Sequence, residues 1–152
     1  MARRVARGAR ARDDRGSALM LVPAGFLILI MLAAIAFDFS HLFLAKREAA
    51  TLAEAAANDA VTFGVDQGEL RKNGNVVLRQ DLVDTACDAA ISAHGPSLKI
   101  AAGDWQCQII DDSRVEVVIT ASIDYVFLKA VPGGARNASV TVRSIATATQ
   151  TP

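Results

Sequence analysis

Residues 17–37, SALMLVPAGFLILIMLAAIAF, run for 21 positions without a charged side chain, and six arginines (Arg3, Arg4, Arg7, Arg10, Arg12, Arg15) precede them. A helix of that length rises about 31 Å, the thickness of a bilayer's hydrocarbon core, so the segment is long enough to span a membrane unaided. Basic residues beside a span are translocated poorly. The expectation is therefore a basic cytoplasmic leader over 1–16, a transmembrane helix over 17–37, and everything after Asp38 on the extracytoplasmic side. The same run ends in Ala34-Ile35-Ala36, an A-x-A pattern. That leaves an alternative: a secreted soluble protein released by signal peptidase after Ala36.

The balance of 16 basic and 16 acidic residues is uneven along the chain. Six Arg against Asp13 and Asp14 give the first 16 residues a net +4, which leaves −4 for the rest. A nucleic-acid surface needs basic side chains and aromatics spread over the folded part, and here that part is acidic and poor in aromatics. No nucleic-acid partner is expected.

From Asp38 to Phe63 the chain holds no Gly or Pro and is rich in Ala, Leu, Glu and Lys, so the membrane helix is expected to continue as helix to about residue 63. Ala45, Ala49, Ala53, Ala56 and Ala60 recur every three or four positions and form a smooth stripe for close approach of another element. Lys46, Arg47, Glu48, Glu54 and Asp59 fall mainly off it. Gly64, Gly68 and Asn73-Gly74 read as a loop, with Val76, Val77 and Leu78 as a short apolar contact. Asp81 to Ala93 carries Leu82, Val83, Ala86, Cys87, Ala90 and Ile91 at helical spacing, a second helix stopped by Gly95-Pro96.

From Trp105 the period falls to two. Trp105, Cys107 and Ile109 share a strand face, Asp111-Asp112-Ser113 turns the chain, and Val115 to Tyr125 alternates in a second strand. After Pro132-Gly133-Gly134 a third strand is expected from Ser139 to about Thr149, with Val140 and Val142 on one face. The fold class is thus α+β: a long N-terminal transmembrane helix continuing into a small extracytoplasmic head over 64–152, built from a second helix and a three-stranded antiparallel sheet.

Cys87 and Cys107 are the two cysteines, twenty positions apart in an oxidising compartment, and a disulfide is the natural reading. It would join the second helix to the first strand and contribute on the order of 3 kcal/mol. A metal site lacks further ligands, because His41 lies by the membrane and His94 stands alone. No nucleophile elbow, P-loop or H-E-x-x-H motif occurs, so no catalytic residues, no cofactor, no metal and no small-molecule substrate are expected. Asp111-Asp112 reads as a solvated turn rather than a cation site. His41 suits the headgroup boundary, and Pro23 is tolerated inside a span. Asn137-Ala138-Ser139 matches a glycosylation sequon that matters only in a host that glycosylates there. Asp38 has two readings: it marks where lipid ends, or it pairs with a neighbouring helix and sets register.

Arg15-Gly16-Ser17, a span closing on Ala36-Phe37-Asp38, the alanine-dense KREAATLAEAAANDAV and the final ASVTVRSIATAT together resemble the TadE/TadG-like proteins of the tight-adherence (Flp-type) pilus assembly system. The resemblance covers most of the chain. It implies a pilin-like architecture and a minor-pilin-like or pilus-assembly role in a bacterial cell membrane, with other pilus or secretion-machinery subunits as partners and no enzymatic activity. In related pilin-like proteins a prepilin peptidase cuts after a glycine just ahead of the apolar run, and the matching bond here is Gly16-Ser17. Many pilins place a glutamate shortly inside the mature helix. Ser17 to Ala24 contains none, which leaves two roles open: filament subunit and membrane-resident assembly factor.

Overall fold

The alanines spaced three or four apart decide how the head is built. In the computed structural model, which describes residues 15–94, 98–101 and 103–149 with the backbone alone at 15–20 and 94, helix α1 runs from Arg15 to Phe63. Its 49 residues extend about 73 Å, and Pro23 lies inside it without ending it. Along the outer half, Ala49, Ala53, Ala56, Ala57 and Ala60 have no exposed surface and Leu52 is buried beside them. Side chains this small let neighbouring backbones come close, and α1 packs against a helix and two strands of the head.

After α1, α2 (Gln67–Asn73) and α3 (Gln80–His94) lead into strands β1 (Trp105–Asp111), β2 (Arg114–Asp124) and β3 (Asn137–Thr147). The sheet is antiparallel in the order β1-β2-β3. Its register sets Cys107 opposite Val117 and Trp105 opposite Ile119, while across the other edge Ile119 faces Val142 and Val115 faces Ala146. Alternation then sends Val115, Val117, Ile119, Ala121 and Ile123 to one face, where all are buried, together with Val142 and Ala146 of β3. That face covers the alanine stripe. Burying each Val or Ile there contributes about 1.5–3 kcal/mol against the unfolded chain.

Helix α3 closes the remaining side through Val83, Cys87, Ala90 and Ile91. Cys87 of α3 and Cys107 of β1 form a disulfide with Cα atoms 6.6 Å apart. A polar clip lies beside it: Gln80 Nε2 donates to the Cys107 carbonyl (2.9 Å) and to Asp84 Oδ1 (2.7 Å), and Gln80 Oε1 accepts from the Ile109 amide (3.4 Å). At Gly64 an added Cβ would collide with the Ala60 carbonyl oxygen and Val83 Cγ2. The chain can leave α1 there only without a side chain, because α3 is already in the way.

Two elements differ from expectation. The stretch read as loop contains α2, whose N-cap Asp66 accepts from the amides of Gly68 (2.7 Å) and Glu69 (3.2 Å). Asn73 Nδ2 donates to Glu69 Oε2 (2.7 Å) one turn on, and the Gly74 N–H closes the helix on the Leu70 carbonyl (3.0 Å). Capping at both ends outweighs the low propensity of Gly68. The last strand spans Asn137–Thr147 rather than 139–149, since Asn137 pairs with Asp124 and extends the ladder to the end of β2. Gly95-Pro96, expected to stop α3, lie outside the described residues.

Candidate interaction site at the neck

Where α1 leaves its apolar segment, the chain leaving the second strand of the head comes back to meet it. β2 ends at Asp124, and Tyr125 to Arg136 form a loop containing a single 3-10 turn, Leu128–Ala130, before β3 begins. The first amides of such a turn have no partner within it. Asp38 supplies one from α1. Its Oδ1 accepts from the Val126 amide (2.8 Å) and the Phe127 amide (3.1 Å), and its Oδ2 from Phe127 (3.2 Å) and Leu128 (2.7 Å). Asp38 is 7% exposed, the one buried charged side chain among the described residues. An ion can be held with so little water because three N–H dipoles replace its hydration shell.

Around this clasp the surfaces are apolar. The rings of Phe37 and Phe127 meet edge to face at 5.4 Å. An apolar groove of about 320 Å³ opens between α1, at Met31, Ala34 and Ile35, and the loop, at Phe127, Leu128 and Val131. Gly134 holds the loop's return, since an added Cβ would meet the Leu128 carbonyl oxygen. On the other side of the neck, a cleft of about 360 Å³ is lined by His41, Glu48, Lys99, Asp124 and Lys129 among others. Lys99 Nζ pairs with Asp124 Oδ2 at 2.5 Å, and this ammonium holds the Asp124 carboxyl below the ordinary carboxylate range.

The remaining sequence-singled residues lie apart from the neck or from one another. Gly16 and Ser17 fall in the first turn of α1, where the backbone alone is described. Asp111 closes the β1-β2 turn: its Oδ1 accepts from Ser113 N (3.0 Å) and Oγ (3.1 Å), and its Oδ2 from Arg114 Nε (2.6 Å). The Ser113 amide, then the Arg114 guanidinium, hold its carboxyl below the usual range. Asn137 begins β3 and is exposed. No group of three or more His, Cys, Asp or Glu is placed to hold a metal among the described residues.

Asp38 was visible in the sequence as a boundary acid, but its partners were not. Residues 126–128 lie 88 to 90 positions away and donate through backbone, which no side-chain pattern announces. The available signal was the run Tyr125-Val126-Phe127-Leu128, apolar yet not alternating, with a proline and two glycines shortly after.

Among the described residues one helix is long and apolar enough to cross a membrane, and it passes directly into the spine of a small α+β head clasped to it at the end of the apolar segment, the form of a stalked protein suited to membrane association. Residues 16–66 match the family described as Putative Flp pilus-assembly TadE/G-like. Over that stretch, which is less than half of the chain, the sequence is similar to TadE/G-like Flp pilus-assembly proteins. The matched stretch takes in the apolar segment, Asp38 and the alanine stripe, and stops before the sheet. No curated protein and no solved structure matches the chain.

Proposed function

We propose that the protein is a minor-pilin-like or pilus-assembly subunit of a tight-adherence pilus or related secretion apparatus. Its leader is cytoplasmic, its helix spans the bilayer once, and its head stands outside. The observation that carries this reading is the continuity of α1, in which an apolar segment with exposed side chains becomes, without a break, the buried spine of the head. A secreted globular domain has no use for such a stem. An assembly subunit does, because the inner half can pack against neighbouring helices while the head presents contacts outside. The role is structural, and the partners are other subunits of the machine.

Gly16-Ser17 is proposed as the prepilin-peptidase bond, at the start of α1 and just ahead of the apolar run. Amino-terminal sequencing of the protein from its native host tests both points. A start at Ser17 supports processing into a subunit of the filament, and an intact start supports a membrane-resident assembly factor. A start at Phe37 overturns the proposal, because the stem has then been removed. Photo-cross-linking from positions in the span should trap pilus-machinery proteins, and failure to trap any removes the proposal's main support.

A further inference from the structure

We propose that the loop Tyr125–Arg136 is a lipid-contacting foot. Its apolar side chains enter the outer leaflet beside the span, and the groove between loop and helix takes a phospholipid acyl chain. This inference rests on the reading that α1 spans the bilayer. Three observations carry it.

The first is depth. The groove's helical wall is Met31, Ala34 and Ile35, and Met31 lies seven residues, or about 10 Å, below Asp38 on the side of the apolar segment. Phe127, Leu128 and Val131 form the facing wall, so the loop reaches past the boundary acid to a level where α1 itself meets hydrocarbon. The groove is therefore continuous with the lipid-facing surface of the span, and lipid is the solvent at its mouth.

The second is the loop's backbone. A loop packed against a span enters that region at lower cost the more of its polar groups are already paired. Asp38 takes the amides of Val126, Phe127 and Leu128; Ala130 donates to the Phe127 carbonyl (2.9 Å), Val131 to Leu128 (3.2 Å), Gly134 to Val131 (2.8 Å), and Tyr125 to Arg136 (3.0 Å). The clasp and the turn thus pair the N–H groups of Tyr125, Val126, Phe127, Leu128, Ala130, Val131 and Gly134, which lowers the cost of bringing this stretch of backbone near hydrocarbon.

The third is the side-chain pattern. Val126, Phe127 and Val131 are 40%, 46% and 54% exposed. Residues 125–136 hold Lys129 and Arg136 and no acid. Apolar side chains that dip into acyl chains, flanked by cations that reach back to phosphates, make a membrane-interface segment.

The test uses the full chain, disulfide intact, in phosphatidylcholine–phosphatidylglycerol vesicles. A nitroxide is attached singly at Phe127→Cys, at Val131→Cys, at Leu32→Cys in the span and at Asp112→Cys in the far hairpin. Circular dichroism verifies that each variant is folded. Collision rates with oxygen, which concentrates in lipid, and with a water-soluble nickel chelate report each label's surroundings. Oxygen should dominate at 32, 127 and 131 and the chelate at 112. If the chelate dominates at 127 and 131 while oxygen still dominates at 32, the foot is overturned and the span stands. If the chelate dominates at 32 as well, the spanning reading fails with it. Labels at 127 and 131 shielded from both agents mean that a second copy or another protein covers the groove, which also overturns the proposal.

Discussion

The two halves of α1 share one backbone and obey different rules. In the inner half Leu21, Phe26, Leu29 and Leu32 are each more than half exposed, and the helix is apolar on every side. In the outer half Ala49, Ala53, Ala56, Ala57 and Ala60 are fully buried on one side while Lys46, Arg47 and Glu54 are exposed on the other. The inner half relies on surroundings outside the chain, so its stability depends on hydropathy and tolerates changes of shape. The outer half is packed by its own head, so volume is what it cannot change.

The sharpest way to break that contrast is to remove volume where the sheet covers the stripe. Ile119→Ala empties a fully buried site opposite Val142 and should cost about 3–4 kcal/mol, read by denaturant unfolding of the full chain in detergent. Leu29→Ala, a similar loss of volume in the inner half, should leave the unfolding of the head unchanged. Reducing the Cys87–Cys107 disulfide should cost about 3 kcal/mol in the same assay, with β1 and α3 the first elements to lose amide protection. Ala53→Leu adds volume to the stripe and should cost about 2 kcal/mol; the same change at Ala33 in the inner half should cost nothing measurable in the head.

Smaller effects sharpen the boundary between the halves. Asp38→Ala leaves the sheet in place but frees three amides, so hydrogen exchange at Val126, Phe127 and Leu128 should accelerate roughly tenfold or more. Equal protection in the variant would show that the clasp is not what holds the loop. The smallest effect is a dependence on acid. The carboxyls of Asp66, Asp111 and Asp124 all lie below the ordinary value of 3.8 in the folded head. For Asp66 the causes are the Glu69 amide and then the Gly68 amide. Groups depressed by folding stabilise the head fully above the unfolded value, and that stability is lost as pH falls through the folded values. Unfolding followed from pH 5 downward should therefore show the loss setting in below about pH 4, and Asp66→Asn should flatten it.

Local patterns in the sequence carried most of the architecture. A 21-residue uncharged run, alanines three and four apart, and valines two apart each state one element's period and covered face, and the cysteines lie on the second helix and first strand that those patterns define. Helix α2 was obscured by Gly68, although Asp66 with Glu69 three residues on is a capping pattern that could have revealed it. The neck was out of reach for another reason. Asp38 bonds to backbone, and the chain returns to it because β2 is just long enough to run from the distal turn back to the boundary. Strand length and helix length together set that meeting, and no single segment records it.

A rod without a hinge, riveted to its load at the membrane surface, transmits rotation. If a neighbouring helix turns α1 by one residue step, about 100°, the head must swing by the same angle, because Asp38 leaves no swivel between them. The bearing of the head about the helix axis would then report how the stem is packed against its neighbours.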